Sequence, residues 1–286
     1  MILVTGATGN LGSAAVSQLL KKISAKNIAV LARDVNKAKY LQEKGIDVRI
    51  GSYDDIPSLN MAMQGIEKVL MISSNGQTRL QHHKNVLAAA KKAHIKHIVY
   101  TGIAMKNIET AAIRPYMIDL IKTEDFIQES GLTYTVLRNT LYAGGNPLYA
   151  GAKVFETGIF LPAGNGKAPF ALRREMGEAA ANILLQNGHE NQTYEITGSD
   201  LYSFNDVAHA LSALSGKTVN YTDADPVTFP AKLKEFGLPE IVVKIVSGFA
   251  ADIKNHQFEN ATNDLEKLLG RKPAPLKESL KEVFGL

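Results

Sequence analysis

The 286-residue sequence contains no cysteine. Disulfides, thiolate metal sites and redox-active thiols are therefore excluded. Nor is there any apolar run approaching the ~20 residues of a membrane span. Basic residues form no long cluster: 32 Lys and Arg face 28 Asp and Glu, for a net charge of +4. A nucleic-acid partner is not expected from so dispersed a charge. Internal repeats and low-complexity tracts are missing too. What remains is 45% hydrophobic residues, enough for a full core. The length suits one large α/β domain or a domain with a smaller lobe. A strand begins at residue 2, so no signal peptide is expected, and a cytoplasmic protein is the default.

The richest segment lies at the start. Ile2-Leu3-Val4-Thr5 is apolar and β-prone, and Gly6-Ala7-Thr8-Gly9-Asn10-Leu11-Gly12 follows at once. A helical pattern then runs through Val16, Leu19 and Leu20, and a second strand comes at Ile28-Ala29-Val30-Leu31-Ala32. Glycines spaced G-x-x-G-x-x-G between a strand and a helix suit a pyrophosphate-binding turn. Gly6 permits the sharp bend, Gly9 lets backbone approach a phosphate, and Gly12 lets helix and strand pack closely. The helix N-terminus adds unpaired N–H groups and a positive dipole end. Gly6, Thr8, Gly9, Asn10 and Leu11 are therefore candidate cofactor contacts.

At the end of the second strand, an NAD site usually carries an acid for the ribose hydroxyls. Arg33 stands there, with Lys37 one turn later. A guanidinium suits the 2′-phosphate of NADP, so NADP(H) is expected in preference to NAD(H). Asp34 is either a helix N-cap or a ribose ligand.

Strand and helix continue to alternate. Further strands are expected at Val48–Ile50, Val69–Ile72, His97–Tyr100 and Tyr134–Leu137. Helices are expected near 36–44, 57–63, 81–93 and 116–129. This pattern predicts a Rossmann-type, doubly wound parallel sheet with helices on both faces. Its ligand should lie beyond the carboxyl ends of the strands. Gly144, Gly145 and Pro147 then break the pattern. Helices follow near 174–185, 204–214, 229–236, 240–253 and 276–283, with a strand at Tyr194-Glu195-Ile196. The expected division is an NADP-binding domain over 1–142 and a smaller, mostly helical cleft lobe over 143–286, parts of which are free to rejoin the sheet.

Several pieces together resemble the NmrA-like atypical short-chain dehydrogenases. They are Thr5 to Gly12, Arg33, Ser73-Ser74, Tyr100-Thr101-Gly102 and the run from Ser130 to Tyr142 that contains Leu137-Arg138-Asn139. Gly188-His189-Glu190 and Leu214-Ser215-Gly216-Lys217 extend the likeness over nearly the whole length. Within that family the chain is most similar to bacterial NAD(P)H-dependent quinone oxidoreductases and triphenylmethane dye reductases. The resemblance implies an NADPH-binding Rossmann domain, a small C-terminal lobe with the substrate cleft between them, and two-electron reduction of a quinone or another flat, conjugated small molecule. A monomer or homodimer is expected. Relatives often carry an acid beside the adenine where this chain has Ser52, leaving Tyr53 as the candidate contact.

Ordinary short-chain dehydrogenases place Tyr-x-x-x-Lys on the helix before the sixth strand, where the tyrosine protonates a carbonyl. Here Tyr116 is followed four residues later by Leu120. Lys122 lies about 240° away around a helix, so no such dyad forms and Tyr116 is only a weak candidate acid. A quinone needs little acid help, because its reduced form is aromatic. The protein then mainly holds the acceptor against the nicotinamide. Ser73, Ser74, Gly102, Asn139 and Tyr142 follow strands at the expected ligand edge and are candidate cofactor contacts. Ile103 and Tyr142 are candidates to wall the acceptor pocket. His82-His83, His94 and His97 lack metal-ligand spacing, so no metal is expected.

Two other readings compete. Some NmrA-like proteins bind the dinucleotide without turnover and regulate a partner, and the missing dyad fits that role equally. A sugar-nucleotide epimerase would normally keep the dyad, and Leu120 argues against one.

Overall fold

Successive side chains on a strand point to opposite faces of a sheet, and the central strands of this chain are apolar on both. Leu3, Ala29, Leu31, Val69, Met71, Ile98, Tyr100 and Val136 pack into one core. Ile2, Val4, Ile28, Val30, Leu70, Val99 and Leu137 pack into another. Such strands need cover on both sides. A computed structural model, which describes residues 1–76, 78–143 and 153–286, supplies it. The sheet contains β1 (Ile2–Thr5), β2 (Ile28–Ala32), β3 (Asp47–Ile50), β4 (Lys68–Met71), β5 (His97–Ile103) and β6 (Tyr134–Asn139). Gln192–Ile196, the ninth strand of the chain, completes it. The order is β3-β2-β1-β4-β5-β6-β9, with every pair parallel. The direction of winding reverses between β1 and β4, where α/β sheets open a ligand crevice.

Helices α3 (Ile56–Ala62), α4 (Arg79–Lys92) and α5 (Arg114–Glu129) cover the first core. The second is covered by α1 (Asn10–Leu20) and α2 (Val35–Glu43), together with two helices from the second half, Arg173–Leu185 and Asp264–Leu269. With the one-turn helix Val154–Thr157 as α6, Arg173–Leu185 is α7. It lies hard against α1: a Cβ on Gly177 would come within 2.6 Å of the Leu11 carbonyl.

The remaining segments build a lobe at the carboxyl edge of the sheet. Two short ribbons, β7 (Ile159–Phe160) with β11 (Tyr221–Thr222) and β8 (Lys167–Ala168) with β10 (Tyr202–Ser203), join helices α8 (Phe204–Ser215), α9 (Phe229–Glu235) and α10 (Glu240–Lys254). Asp264–Leu269 is then α11, and α12 (Leu276–Phe284) ends the chain. A reciprocal capping box opens α8, with Asp206 N–H donating to Ser203 Oγ and Ser203 N–H to the Asp206 carboxylate, as such a pair does.

The doubly wound parallel architecture is the one expected. Two strands outrun their expected limits. β5 continues to Ile103 and β6 to Asn139, because Thr101–Ile103 and Leu137–Asn139 are ladder partners. Gly102 and Asn139 therefore end strands rather than sit in loops. The strand expected at 194–196 joins the main sheet beside β6. The breaks expected at Gly144, Gly145 and Pro147 lie outside the described residues.

Candidate active-site cavity

A cavity of about 620 Å³ opens over the carboxyl ends of β1, β4, β5 and β6, a volume within the range of small-molecule sites. Its first wall is the glycine turn. Gly6 has φ +60°, which a Cβ disfavours, and its carbonyl accepts the Gly9 N–H at 3.0 Å. Helix α1 starts directly afterwards. A Cβ on Gly12 would stand 2.2 Å from the Gly6 carbonyl oxygen. No side chain caps α1 and its first turn carries no acid. Gly6, Gly9, Asn10, Leu11 and Gly12 all line the cavity, so bare N–H groups and a positive dipole end meet it.

The second wall is the exit of β4. Ser73 N–H donates to Thr101 Oγ1 at 3.0 Å, and the Ser73 hydroxyl donates to the Thr101 carbonyl. Ser74 N–H donates to His83 Nε2 at 3.1 Å. Because Nε2 accepts, Nδ1 carries the proton and donates to Thr123 Oγ1 at 2.8 Å. That hydroxyl in turn donates to the Asp119 carbonyl at 2.6 Å. His83 is fully buried. Desolvation, with Arg79 nearby, pushes its pKa down to about 3, so the ring is neutral and its tautomer fixed. This chain ties the exit loop of β4 to α5.

Arg79 begins α4 and is only 6% exposed. Its Nε donates to the Ser74 carbonyl and its Nη1 to the Tyr116 carbonyl, both at 2.8 Å. Both partners are neutral. Burial lowers its pKa, against the raising influence of Tyr100 and Asp119. A guanidinium nevertheless remains charged in a protein.

The ends of β5 and β6 form the floor. A Cβ on Gly102 would come 2.8 Å from Glu124 Oε1, so the strand passes directly over a buried carboxylate. Arg138 holds that carboxylate through Nη2 at 2.7 Å and reaches Glu195 at 3.3 Å. Burial raises the pKa of both acids, although Arg138 opposes it. Asn139 is 5% exposed, and its Oδ1 is buried without a hydrogen-bond partner among the described residues. It lines the cavity with Ile103 and Tyr142. The Arg173 guanidinium lies 3.9 Å from the centre of the Tyr142 ring, a cation–π contact.

The last wall is apolar. Met117 and Leu120 come from α5, and Ile245 and Phe249 from α10. On α10, positions 245, 249 and 252 share one face. There the buried Asp252 carboxylate accepts the N–H groups of Ala112 at 2.7 Å and Ile113 at 2.9 Å. α10 thus satisfies free donors at the start of α5 while presenting Ile245 and Phe249 to the cavity.

Ten of the sequence candidates converge on this cavity: Gly6, Gly9, Asn10, Leu11, Ser73, Ser74, Gly102, Ile103, Asn139 and Tyr142. Five do not line it. Thr8 is exposed in the turn, and Arg33 is exposed at the end of β2. Asp34 N-caps α2, accepting Asn36 N–H at 2.9 Å. Tyr53 directs its hydroxyl to Thr5 Oγ1 and the Ile72 carbonyl beneath the turn, which leaves its ring for any contact with a base. Tyr116 packs beside Ile108, Ala111 and Ile113. Leu120, at the position of the absent lysine, lines the cavity. Sequence reading missed Arg79, Arg173, Met117, Ile245 and Phe249. Arg79 had a signal, a cation at the start of a helix just after a candidate loop. The others depend on tertiary packing. No cluster of three or more His, Asp or Glu converges among the described residues, and no described helix is long and apolar enough to cross a membrane.

Comparison with known proteins places this geometry in context. The model of the NmrA-like family matches residues 1–283. Quinone oxidoreductase 2 of Escherichia coli is 35% identical, over 100% of this chain and 99% of its own length. An NAD(P)H azoreductase of Xenophilus azovorans is 29% identical over 95% of this chain and 93% of its own. Among solved structures, the NADPH complex of the E. coli quinone oxidoreductase superposes with a TM-score of 0.92 at 34% identity, covering 99% of this chain and 100% of that one. The NADP(H) complex of Citrobacter sp. triphenylmethane reductase superposes at 0.91 with 35% identity and the same coverage.

Proposed function

The chain belongs to the NmrA-like family, and from that premise we propose that it is an NADPH-dependent oxidoreductase that reduces a quinone or a similar conjugated acceptor. The observation that carries this reading is one continuous cavity, with bare helix N–H groups at the glycine turn and the apolar wall of Met117, Leu120, Ile245 and Phe249. A polar anchor for a dinucleotide and an apolar slot for a flat acceptor meet in it. The relatives named for quinone and azo reduction, and the NADPH complexes of similar structures, support the same reading.

The residues fit the cofactor. The cradle that a Cβ on Gly12 would fill leaves backbone free to approach a pyrophosphate. The orphaned Asn139 Oδ1 supplies a buried acceptor where a carboxamide or ribose donor would satisfy it. In this reading, Gly6, Thr8, Gly9, Asn10 and Leu11 hold the pyrophosphate. Arg33 holds the 2′-phosphate, Tyr53 meets the base, and Ser73, Ser74, Gly102, Asn139 and Tyr142 take the nicotinamide half. When bound, the reduced dinucleotide supplies the hydride. The protein holds the acceptor near it and excludes water. Among the described residues no side chain takes the place of a tyrosine–lysine acid, and in this reading the final proton comes from water. A regulatory protein that only binds the dinucleotide would not need the apolar slot.

The test is steady-state oxidation of NADPH and NADH against a panel of quinones and dyes. Acceptor-dependent consumption with NADPH preferred is the expected result. No turnover with any acceptor, despite tight dinucleotide binding, would favour the sensing role.

A further inference from the structure

We propose that Arg79 selects the charge type of the acceptor, favouring neutral acceptors that become anions on reduction over acceptors that are already cations. The proposal rests on the cavity being an acceptor site, and it goes further by naming the class of acceptor.

Arg79 lines the cavity and is nine-tenths buried. Its hydrogen bonds all go to neutral groups, the carbonyls of Ser74 and Tyr116 and the Met117 sulfur. They use Nε and Nη1, and among the described residues Nη2 has no partner. Among the described residues no carboxylate comes within ion-pair distance, and the acid that influences it, Asp119, acts only from farther off. The other titratable groups that sense it are Tyr100, whose phenol is held neutral by burial, and His83, which is neutral for the same reason. The helix dipole of α4 does not neutralise it either, since Arg79 stands in the first turn, at the positive end. Such a charge is expensive to bury unpaired. An anion arriving in the cavity would lower that cost.

Reduction produces such an anion for only one class of acceptor. A neutral quinone that takes up a hydride gains two electrons and one negative charge, while the dinucleotide is oxidised. The hydroquinone monoanion then takes its second proton from water. A fixed cation beside the cavity stabilises that charge as it develops, in the manner of an oxyanion site. A cationic triarylmethane acceptor instead becomes neutral with the same hydride. For that class Arg79 repels the oxidised form and gains nothing from the reduced one.

The experiment compares wild type with Arg79→Gln and Arg79→Lys, using a neutral benzoquinone and a cationic triarylmethane dye. Arg79→Gln should lower kcat/KM for the quinone by about 100-fold more than for the dye. Arg79→Lys, which keeps the charge, should retain more quinone activity. Equal losses for both acceptors would overturn the proposal in favour of a purely structural role. A second readout needs neither turnover nor a folded variant. The wild-type protein loaded with NADPH, whose nicotinamide ring is neutral, is titrated with 4-nitrophenol, whose phenolate absorbs visible light. The bound phenol should ionise at least about one pH unit below the free one. An unshifted or raised ionisation, or no binding, would overturn the proposal. The phenol titration reports on Arg79 even if no quinone is ever reduced, so failure of the proposed activity and failure of this inference remain distinguishable.

Discussion

His83 accepts the backbone N–H of Ser74 through Nε2 at 3.1 Å, so a buried neutral imidazole fixes the position of the loop that leaves β4. The bond requires an unprotonated Nε2. Thr123 accepts from the other nitrogen and passes the constraint to α5. The shape of the cavity wall therefore depends on one ring staying uncharged.

That dependence has a sign. The folded-state pKa of His83 lies at about 3, below its ordinary value of 6.5. The unfolded chain binds the proton first as pH falls. The contribution is fully present above pH 6.5 and is lost from 6.5 down to about 3, at roughly 1.4 kcal/mol per pH unit. Urea denaturation of wild type and His83→Gln between pH 7.5 and 4.5 checks it. The stability difference between the two proteins should narrow as the pH falls, and a constant difference would remove His83 as the source.

Arg33 is exposed at the end of β2, in place of the acid that an NAD site would carry. Arg33→Ala should weaken NADPH binding by about 10- to 100-fold, the loss of a charge-assisted hydrogen bond or two. NADH binding should barely change. Calorimetric titration with both dinucleotides is the measurement, and equal losses would end the assignment of the 2′-phosphate to this residue.

Gly12→Ala should damage the turn more than Gly9→Ala. The added Cβ would meet the Gly6 carbonyl oxygen at 2.2 Å in the first case and 3.3 Å in the second. Overpacking of the first kind costs roughly 1–3 kcal/mol and forces α1 off the strand. Thermal melts with and without NADPH should show a lower Tm for Gly12→Ala and a smaller rise on adding the dinucleotide.

Asp252→Ala should destabilise the protein by about 1–2 kcal/mol, the range for losing a helix cap, because its carboxylate accepts the Ala112 and Ile113 N–H groups. Asp252→Asn, which keeps one acceptor oxygen, should cost less. Since Ile245 and Phe249 lie on the same helix face, KM for the acceptor should rise in Asp252→Ala more than KM for NADPH. A uniform loss of both would point to global loosening instead.

Much of this arrangement was legible in the chain because it is local. The strand Ile2–Thr5, the glycine spacing and the helix behind it follow from short-range periodicity and backbone freedom, and they carry the anchor of the site. Leu120 at the position of a dyad lysine was equally plain in the chain, and it lines the cavity. What stayed hidden depends on long-range packing. Ile245 and Phe249 reach the cavity from α10, which its buried apolar residues and the bonds of Asp252 dock on segments more than a hundred residues away. α11, six residues long, is too short for its periodicity to register. Arg173 required knowing that α7 begins beside Tyr142.

The contact of Gly177 with α1 has a consequence for synthesis. The glycine turn and α1 are made before the helix that backs them, which is completed some 170 residues later. Until α7 has left the ribosome, Leu11, Ala15 and Leu19 lack the cover that Met176, Ala180 and Ile183 provide. At ~5–20 residues per second, the nascent chain spends roughly ten seconds or more with that surface open. The glycine turn is thus encoded long before the helix that covers α1 is made.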